Sequence, residues 1–128
     1  MDDSIEKTGK AILDSAFSIH MKFGSGLLEK AYRVILANDL RQKGHSVSEE
    51  VEGGFELDGI YYERMYRVDL LVDDAVIVEL KSVPRIEPVF MKQCLTYMRF
   101  MDKKLGFVIN FGMPLLKDGI NRVINERK

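Results

Sequence analysis

The chain has 128 residues, of which 46% are hydrophobic and 30% are charged, and its formal net charge is −1. This length supports one domain with its own hydrophobic core. The near-zero charge excludes a global electrostatic field that would draw the protein to nucleic acid or to an anionic membrane, so any polyanion must be bound by a local patch.

The expected location is the cytoplasm. The single cysteine, Cys94, excludes a disulfide within the chain and suits a reducing compartment, and we expect it to be buried filler. No apolar run approaches the roughly 20 residues of a membrane span. The acidic start of the chain lacks the basic and apolar regions of a signal peptide.

Two helices are predicted at the start of the chain. Asp3 or Ser4 is the expected N-cap of the first, whose apolar residues recur at helical spacing up to a turn at 23–26. The second helix covers about 27–43 and ends at Gly44, where a C-cap glycine belongs.

Strands and a third helix follow. Residues 45–51 alternate weakly, and 55–61 form a hairpin signal centred on Asp58-Gly59. The remaining predicted elements are strands at 67–72 and 76–81, a helix at about 89–101 and an apolar strand at 105–110. Residues 120–124 form a last strand or a short helix, and we favour the strand. This order predicts an α/β fold of the α+β type, with a mixed sheet and helices on both faces.

Ionised residues inside apolar strands are the main clue to function. Glu79 and Lys81 lie at the end of the strand Val76–Lys81, and Asp69 lies in the strand before it. Burying an isolated charge costs several kcal/mol or more, and a divalent cation between two carboxylates compensates for that cost. The alternative is a set of solvated charges on an exposed hairpin, with Lys81 paired to either acid.

The length of the connecting turn decides whether the two acids meet. A two-residue turn pairs Val72 with Ala75 and sends Asp69 and Glu79 to opposite faces of the sheet. A three-residue loop pairs Val72 with Val76 and places Asp69 across from Glu79. We predict the three-residue loop, or a bulge of the same parity. One face then carries Val68, Leu70, Val72, Val76, Val78 and Leu80, and the other carries Arg67, Asp69, Leu71, Ile77, Glu79 and Lys81.

Further motifs occur in a recognisable order. Gly26–Tyr32 has the form G-x-x-E-x-x-Y, and Gln93–Tyr97 has the form Q-x-x-x-Y. Together with Asp69, Glu79-Leu80-Lys81 and the stretch 105–117, they closely resemble the bacterial GxxExxY protein family of the PD-(D/E)xK nuclease-like superfamily. The Q-x-x-x-Y element is also found in its RecB-like branch.

This resemblance covers about residues 5–123. It implies a restriction-endonuclease-like core of the order αβββαβ with an extra N-terminal helix, in a single domain over 1–128. It also implies a nuclease that uses Mg²⁺ or Mn²⁺ and acts on nucleic acid, DNA rather than RNA. A homodimer is expected because small domains often form a substrate channel by dimerising.

The resemblance also assigns roles to individual residues. Asp69 and Glu79 become metal ligands, with the Leu80 carbonyl as a neutral ligand and Glu29 as a ligand that acts directly, through water or on a second ion. Lys81 becomes the catalytic lysine that orients the attacking water or accepts its proton. Glu29, besides its role as a ligand, belongs with Lys81 to the catalytic residues. Gln93 and Tyr97 are also catalytic residues, and they support the site.

Several of these residues have a purely structural alternative. Glu29 lies in the first turn of a helix, where an acid interacts favourably with the helix dipole. Tyr97 is alternatively a core residue, and Gln93 is alternatively a surface residue, with neither of them acting at the site. His20, on the apolar stripe of the first helix, is a hydrogen-bonded core histidine or a metal ligand, and Arg67 binds phosphate or neutralises an acid.

Binding of nucleic acid and catalysis also have alternatives. A local basic rim or dispersed surface charge accounts equally well for Arg64, Arg67, Lys81, Arg85, Lys92 and Arg99. The protein is alternatively an inactive nuclease-like binding or assembly module, or a metal hydrolase that acts on small phosphoesters.

Overall fold

The computed structural model describes residues 1–126 and contains one five-stranded sheet. The elements are α1 (Asp3–Phe23), α2 (Glu29–Gln42), β1 (Val47–Leu57), β2 (Ile60–Val72), β3 (Val76–Lys81), α3 (Pro88–Met101), β4 (Leu105–Asn110), a short 3-10 turn (Leu116–Gly119) and β5 (Ile120–Ile124). The strands lie side by side in chain order. The β3–β4 pair is parallel and the other pairs are antiparallel, which confirms the predicted mixed sheet.

The ends of the first two helices follow ordinary capping chemistry. The side chain of Asp2 accepts hydrogen bonds from the backbone N–H groups of Ser4 and Ile5, so the N-cap is Asp2 and the prediction of Asp3 or Ser4 was wrong. Helix α2 ends just before Gly44, whose φ of 95° is the left-handed conformation that glycine adopts without strain.

The first hairpin is longer than predicted. Leu57 pairs with Ile60, and both turn residues, Asp58 and Gly59, have positive φ, as a type I′ turn requires. Strand β1 is continuous over Val47–Leu57, and β2 is continuous over Ile60–Val72. The sequence pattern is broken because the pairing shifts between Gly53 and Phe55, where a β-bulge interrupts regular alternation.

Each face of the sheet packs against different helices. Helices α1 and α2 cover one face, where Ile12 and Leu36 join Leu70 and Val78 in the larger core cluster. Helix α3 covers the other face in a second cluster around Ile77, Val108, Cys94 and Met98. Cys94 is fully buried there, as expected.

The turn between β2 and β3 sets the predicted register. Val72 pairs with Val76, Leu71 with Ile77 and Leu70 with Val78, which confirms the three-residue loop. The loop is tied down at Asp73, whose carboxylate accepts hydrogen bonds from the Thr8 hydroxyl and the Ser46 N–H and lies 2.7 Å from His45 Nδ1.

One detail of the predicted faces was wrong. Val68 packs in the α3 cluster with Leu71 and Ile77, on the face opposite to Leu70. The change of face coincides with Glu50 in β1, which sits between the Glu49–Leu70 and Val51–Val68 rungs with a φ of 51°. Val47, before this left-handed residue, packs against the α1–α2 cluster, whereas Val51, after it, packs against the α3 cluster together with Val68.

Within residues 1–126, no helix combines the length and the apolar character that crossing a membrane requires.

Candidate active site

Asp69 and Glu79 lie in adjacent strands, and each side chain is only 8% exposed. The paired residues of β2 and β3 end at Leu70–Val78, so each acid lies one residue beyond the last paired position of its strand. The backbone N–H of Leu80 donates to Asp69 Oδ2 at 2.8 Å, which ties this carboxylate to β3. Glu79 Oε1 is buried and has no hydrogen-bond partner among the described residues. The predicted juxtaposition of the two acids is therefore present.

The two carboxylates are electrostatically coupled. Burial, and then the negative charge of Asp69, raise the pKa of Glu79 to about 8, against the opposing effect of Lys81. Burial and the neighbouring charge of Asp69 therefore both favour the protonated form of Glu79. Buried and coupled acids of this kind exclude the alternative of solvated charges on an exposed hairpin.

Lys81 is held beside this pair by an aromatic ring. Its Nζ lies 4.4 Å from the centroid of the Phe90 ring on α3, a distance suited to a cation–π interaction. Its positive charge opposes the rise in the pKa of Glu79 and of Glu29, so it lies within electrostatic reach of both acids. The Phe90 contact keeps the ammonium available near the carboxylates.

Glu29 approaches the pair from the first turn of α2. Burial, and then the charge of Asp69, raise its pKa, while Lys81, Arg67 and Arg33 act in the opposite direction. It also lines the same cavity as Asp69. Within residues 1–126, however, no three His, Cys, Asp or Glu side chains form a cluster arranged to hold a metal ion. The core of the site is thus a pair of carboxylates, with Glu29 at its edge.

The two α3 residues of the Q-x-x-x-Y motif differ in their surroundings. The Tyr97 ring stacks on Tyr66 with a centroid distance of 5.2 Å, and burial, followed by the charge of Glu79, raises its pKa. Gln93, one helical turn earlier, is exposed. The structure therefore brings Tyr97 into the field of the carboxylates and leaves Gln93 at the surface.

Comparison with known proteins identifies the family of the chain. A family model described as the PD-(D/E)XK nuclease superfamily matches residues 6–123. The chain belongs to this superfamily. Asp69 and Glu79-Leu80-Lys81 match the letters of the PD-(D/E)XK signature, with Val68 in the place of its proline.

Membership of the PD-(D/E)XK nuclease superfamily supports a nuclease-like function, and its nucleases usually use divalent metals. The fold is similar to the crystal structure of SSO0001, with a TM-score of 0.58 and 14% sequence identity. That similarity covers 98% of this chain and 63% of the other, so this chain spans less than two thirds of its length. No curated protein matches the sequence.

His20, which the sequence left open, and Tyr32 have structural roles in this PD-(D/E)XK protein. His20 Nε2 lies 2.9 Å from the Met113 carbonyl oxygen, and its ring is tilted against Phe111, so it has the surroundings of a hydrogen-bonded core histidine. Tyr32 is fully buried, stacks on Phe111 and donates its hydroxyl to the Gly24 carbonyl.

Asn110 is a supporting residue whose role was not predicted. Its Oδ1 accepts hydrogen bonds from the N–H groups of Val83 and Gly112, and its Nδ2 donates to the Val83 carbonyl. Asn110 also pairs with Lys81 across β3 and β4. It therefore fixes the chain just after the lysine. The sequence held one indication of this role, because Asn110 is the polar residue that ends an otherwise apolar strand, and it is fully buried in the structure.

The six candidate basic residues do not share one environment. Arg67 lines the cavity beside Glu29 and Asp69. Arg64 lies 3.8 Å from Glu52, and Arg85 lies 3.9 Å from Glu87, on exposed surfaces. Of this group, Arg67 and Lys81 are placed at the site.

Proposed function

We propose that this protein is a Mg²⁺- or Mn²⁺-dependent nuclease that hydrolyses phosphodiester bonds in DNA. The main supporting observation is the buried pair formed by Asp69 and Glu79, in which Glu79 Oε1 lacks a hydrogen-bond partner among the described residues. A lysine near the same pair supplies the remaining element of the superfamily signature.

The donor set fits a hard divalent cation. Two carboxylates close together in a buried site repel each other, and a cation or a shared proton is needed to relieve that repulsion. Carboxylate, carbonyl and water oxygens are the ligands that Mg²⁺ prefers. Asp69 and Glu79 would hold the ion, with the Leu80 carbonyl as a further ligand and Glu29 acting through water. When bound, the ion would stabilise charge on the phosphate and lower the pKa of a water molecule.

The side chains of the protein have distinct tasks in this proposal. Glu79 would hold the cation in its ionised form, because only the ionised carboxylate is a good ligand. Lys81, whose ammonium lies over the Phe90 ring, would orient the attacking water. Tyr97 would support the site from α3, and its raised pKa keeps its phenol neutral as a hydrogen-bond donor.

We further assign the chain to the GxxExxY group and to the RecB-like branch with the Q-x-x-x-Y motif. This assignment is supported by Gly26–Tyr32, which places Glu29 at the start of α2 in the field of Asp69. It is also supported by the position of Tyr97 in the field of Glu79.

The test is cleavage of a panel of single-stranded and duplex DNA with Mg²⁺, Mn²⁺ or EDTA. Wild type should cut only with metal, and Asp69→Ala or Lys81→Ala should abolish cutting. Lys10→Ala, which removes an exposed lysine paired with Asp14, is the matched control and should leave activity unchanged. Equal cleavage by wild type and both site variants would assign the activity to a contaminant or another site.

A non-catalytic binding or assembly module is the second candidate. The observation that favours it is the lack, in the described residues, of a three-ligand cluster suited to a metal. This alternative predicts no turnover by wild type on any substrate in the panel and no tight metal binding.

A further inference from the structure

A polar cavity of about 290 Å³ adjoins the carboxylate pair between α2 and the β1–β2 strands. It is lined by Glu29, Lys30, Arg33, Glu50, Arg67 and Asp69. Two of these residues, Glu29 and Asp69, belong to the candidate active site, so the cavity is continuous with it. The other four provide three cations and one acid.

The charge of one cation is already neutralised. The Arg33 side chain is 15% exposed, and its Nη1 lies 2.6 Å from Glu50 Oε1 while its Nε lies 3.3 Å from Glu49 Oε1. Its guanidinium is therefore a fixed partner of β1 and has few donors left for a ligand.

Arg67 and Lys30 are placed differently. The Arg67 side chain is 53% exposed, and its Nη1 lies 3.7 Å from Glu50 Oε1, which is too long for a hydrogen bond. Lys30 is exposed at the mouth of the cavity. These two cations therefore present donors to the cavity without a tight carboxylate partner in the described residues.

The backbone at Glu50 holds this arrangement in place. Glu50 adopts a φ of 51° inside a strand, a left-handed conformation that is strained for a residue other than glycine. Its Oε1 lies 2.6 Å from Arg33 Nη1 and 3.7 Å from Arg67 Nη1, so the carboxylate attracts both guanidinium groups at the wall of the cavity. Strained residues that persist in a fold concentrate at functional sites.

We propose that Lys30 and Arg67 bind a backbone phosphate next to the phosphate that is cut, with Glu50 and Arg33 positioning Arg67. This inference rests on the proposed nuclease function. Non-bridging phosphate oxygens accept charge-assisted hydrogen bonds from guanidinium and ammonium groups, and such contacts fix the position of the strand without reading its sequence. The subsite therefore supplies affinity and alignment, and the substrate must contain at least two consecutive phosphates.

The test is steady-state cleavage of a short DNA oligonucleotide at several salt concentrations. Arg67→Ala and Lys30→Ala should each raise KM about tenfold, as loss of a charge-assisted contact predicts, with kcat changed less than twofold. The slope of log KM against log salt should fall by about one in each variant, because one phosphate contact is lost. Arg67→Lys keeps the positive charge, so its slope of log KM against log salt should stay close to that of wild type. This variant shows whether the effect of Arg67→Ala comes from the lost phosphate contact or from misfolding.

Arg64→Ala is the matched control, because Arg64 lies in the same strand, pairs with Glu52 and does not line the cavity. Inorganic phosphate should inhibit cleavage of the oligonucleotide by wild type competitively. It should inhibit Arg67→Ala more weakly. Unchanged KM in Arg67→Ala and Lys30→Ala overturns the subsite, and so does binding of inorganic phosphate without any change in oligonucleotide KM. No cleavage by wild type overturns the nuclease proposal together with this inference.

Discussion

Replacement of Glu79 by glutamine should remove a specific pH dependence of stability. In the folded protein, burial and the charge of Asp69 raise the pKa of Glu79 from 4.5 to about 8. Between these two pH values the folded state holds a proton that the unfolded chain has released. The free energy of unfolding therefore falls as pH rises from about 4.5 to 8.

The size of this effect follows from the two pKa values. They differ by 3.5, and each pH unit contributes about 1.4 kcal/mol, so the stability lost across this range is about 5 kcal/mol. Glu79 is only 8% exposed, so solvent screening does little to reduce the loss. Glutamine keeps the shape of the side chain without the ionisation, so Glu79→Gln should be more stable than wild type at pH 8 in EDTA.

Urea denaturation at pH 5, 6, 7 and 8 measures this difference. The wild-type free energy of unfolding should decline over the series relative to that of Glu79→Gln, because both proteins share every other titrating group. The matched control, Glu56→Gln, changes an exposed glutamate in β1 and should follow wild type. A constant difference between Glu79→Gln and wild type from pH 5 to pH 8 would refute the coupling of the two buried acids.

Three further substitutions test other parts of the structure. Lys81→Met should lower the cleavage rate by about 100-fold or more, because the lysine acts on the attacking water. The affinity for Mn²⁺, measured by calorimetry, should change by no more than about threefold, because the lysine is not a ligand. Equal losses of rate and of affinity would contradict this role. Asn110→Ala should cost about 2 kcal/mol in urea denaturation, since the half-buried N–H groups of Val83 and Gly112 both lose an acceptor. Gly112→Ala should cost at least about 2 kcal/mol in the same assay, because an added Cβ would lie 2.3 Å from the Val83 carbonyl oxygen. Wild-type stability in either variant would show that the chain after Lys81 is not fixed by these contacts.

Local sequence rules predicted much of the fold and the heart of the site. The parity of the 73–75 loop was decisive, because side chains alternate strictly along regular strands. This parity alone predicts that Asp69 and Glu79 share a face of the sheet. Strand β4 was predicted with its observed limits because its apolar residues are buried on both faces of the sheet.

The errors arose where the backbone departs from regular geometry. The left-handed residue Glu50 has no signature in the sequence, so the change of face at Val68 could not be predicted. The bulge near Gly53 likewise hid the continuity of β1 and β2. Arg33 was missed because its partners, Glu49 and Glu50, belong to a different element, and their approach depends on how α2 packs against the sheet.

The most direct test of the metal site is a calorimetric titration of the protein with Mn²⁺ at pH 8, with and without DNA. We expect wild type to bind the ion. When the titration is repeated at higher pH, binding should release fewer protons to the buffer, because more of Glu79 is already ionised. Glu79→Ala should bind at least about tenfold more weakly, since one of the two carboxylate ligands is gone. Wild-type protein that binds no Mn²⁺ under either condition, or a variant that binds as tightly as wild type, would contradict a cation site between Asp69 and Glu79.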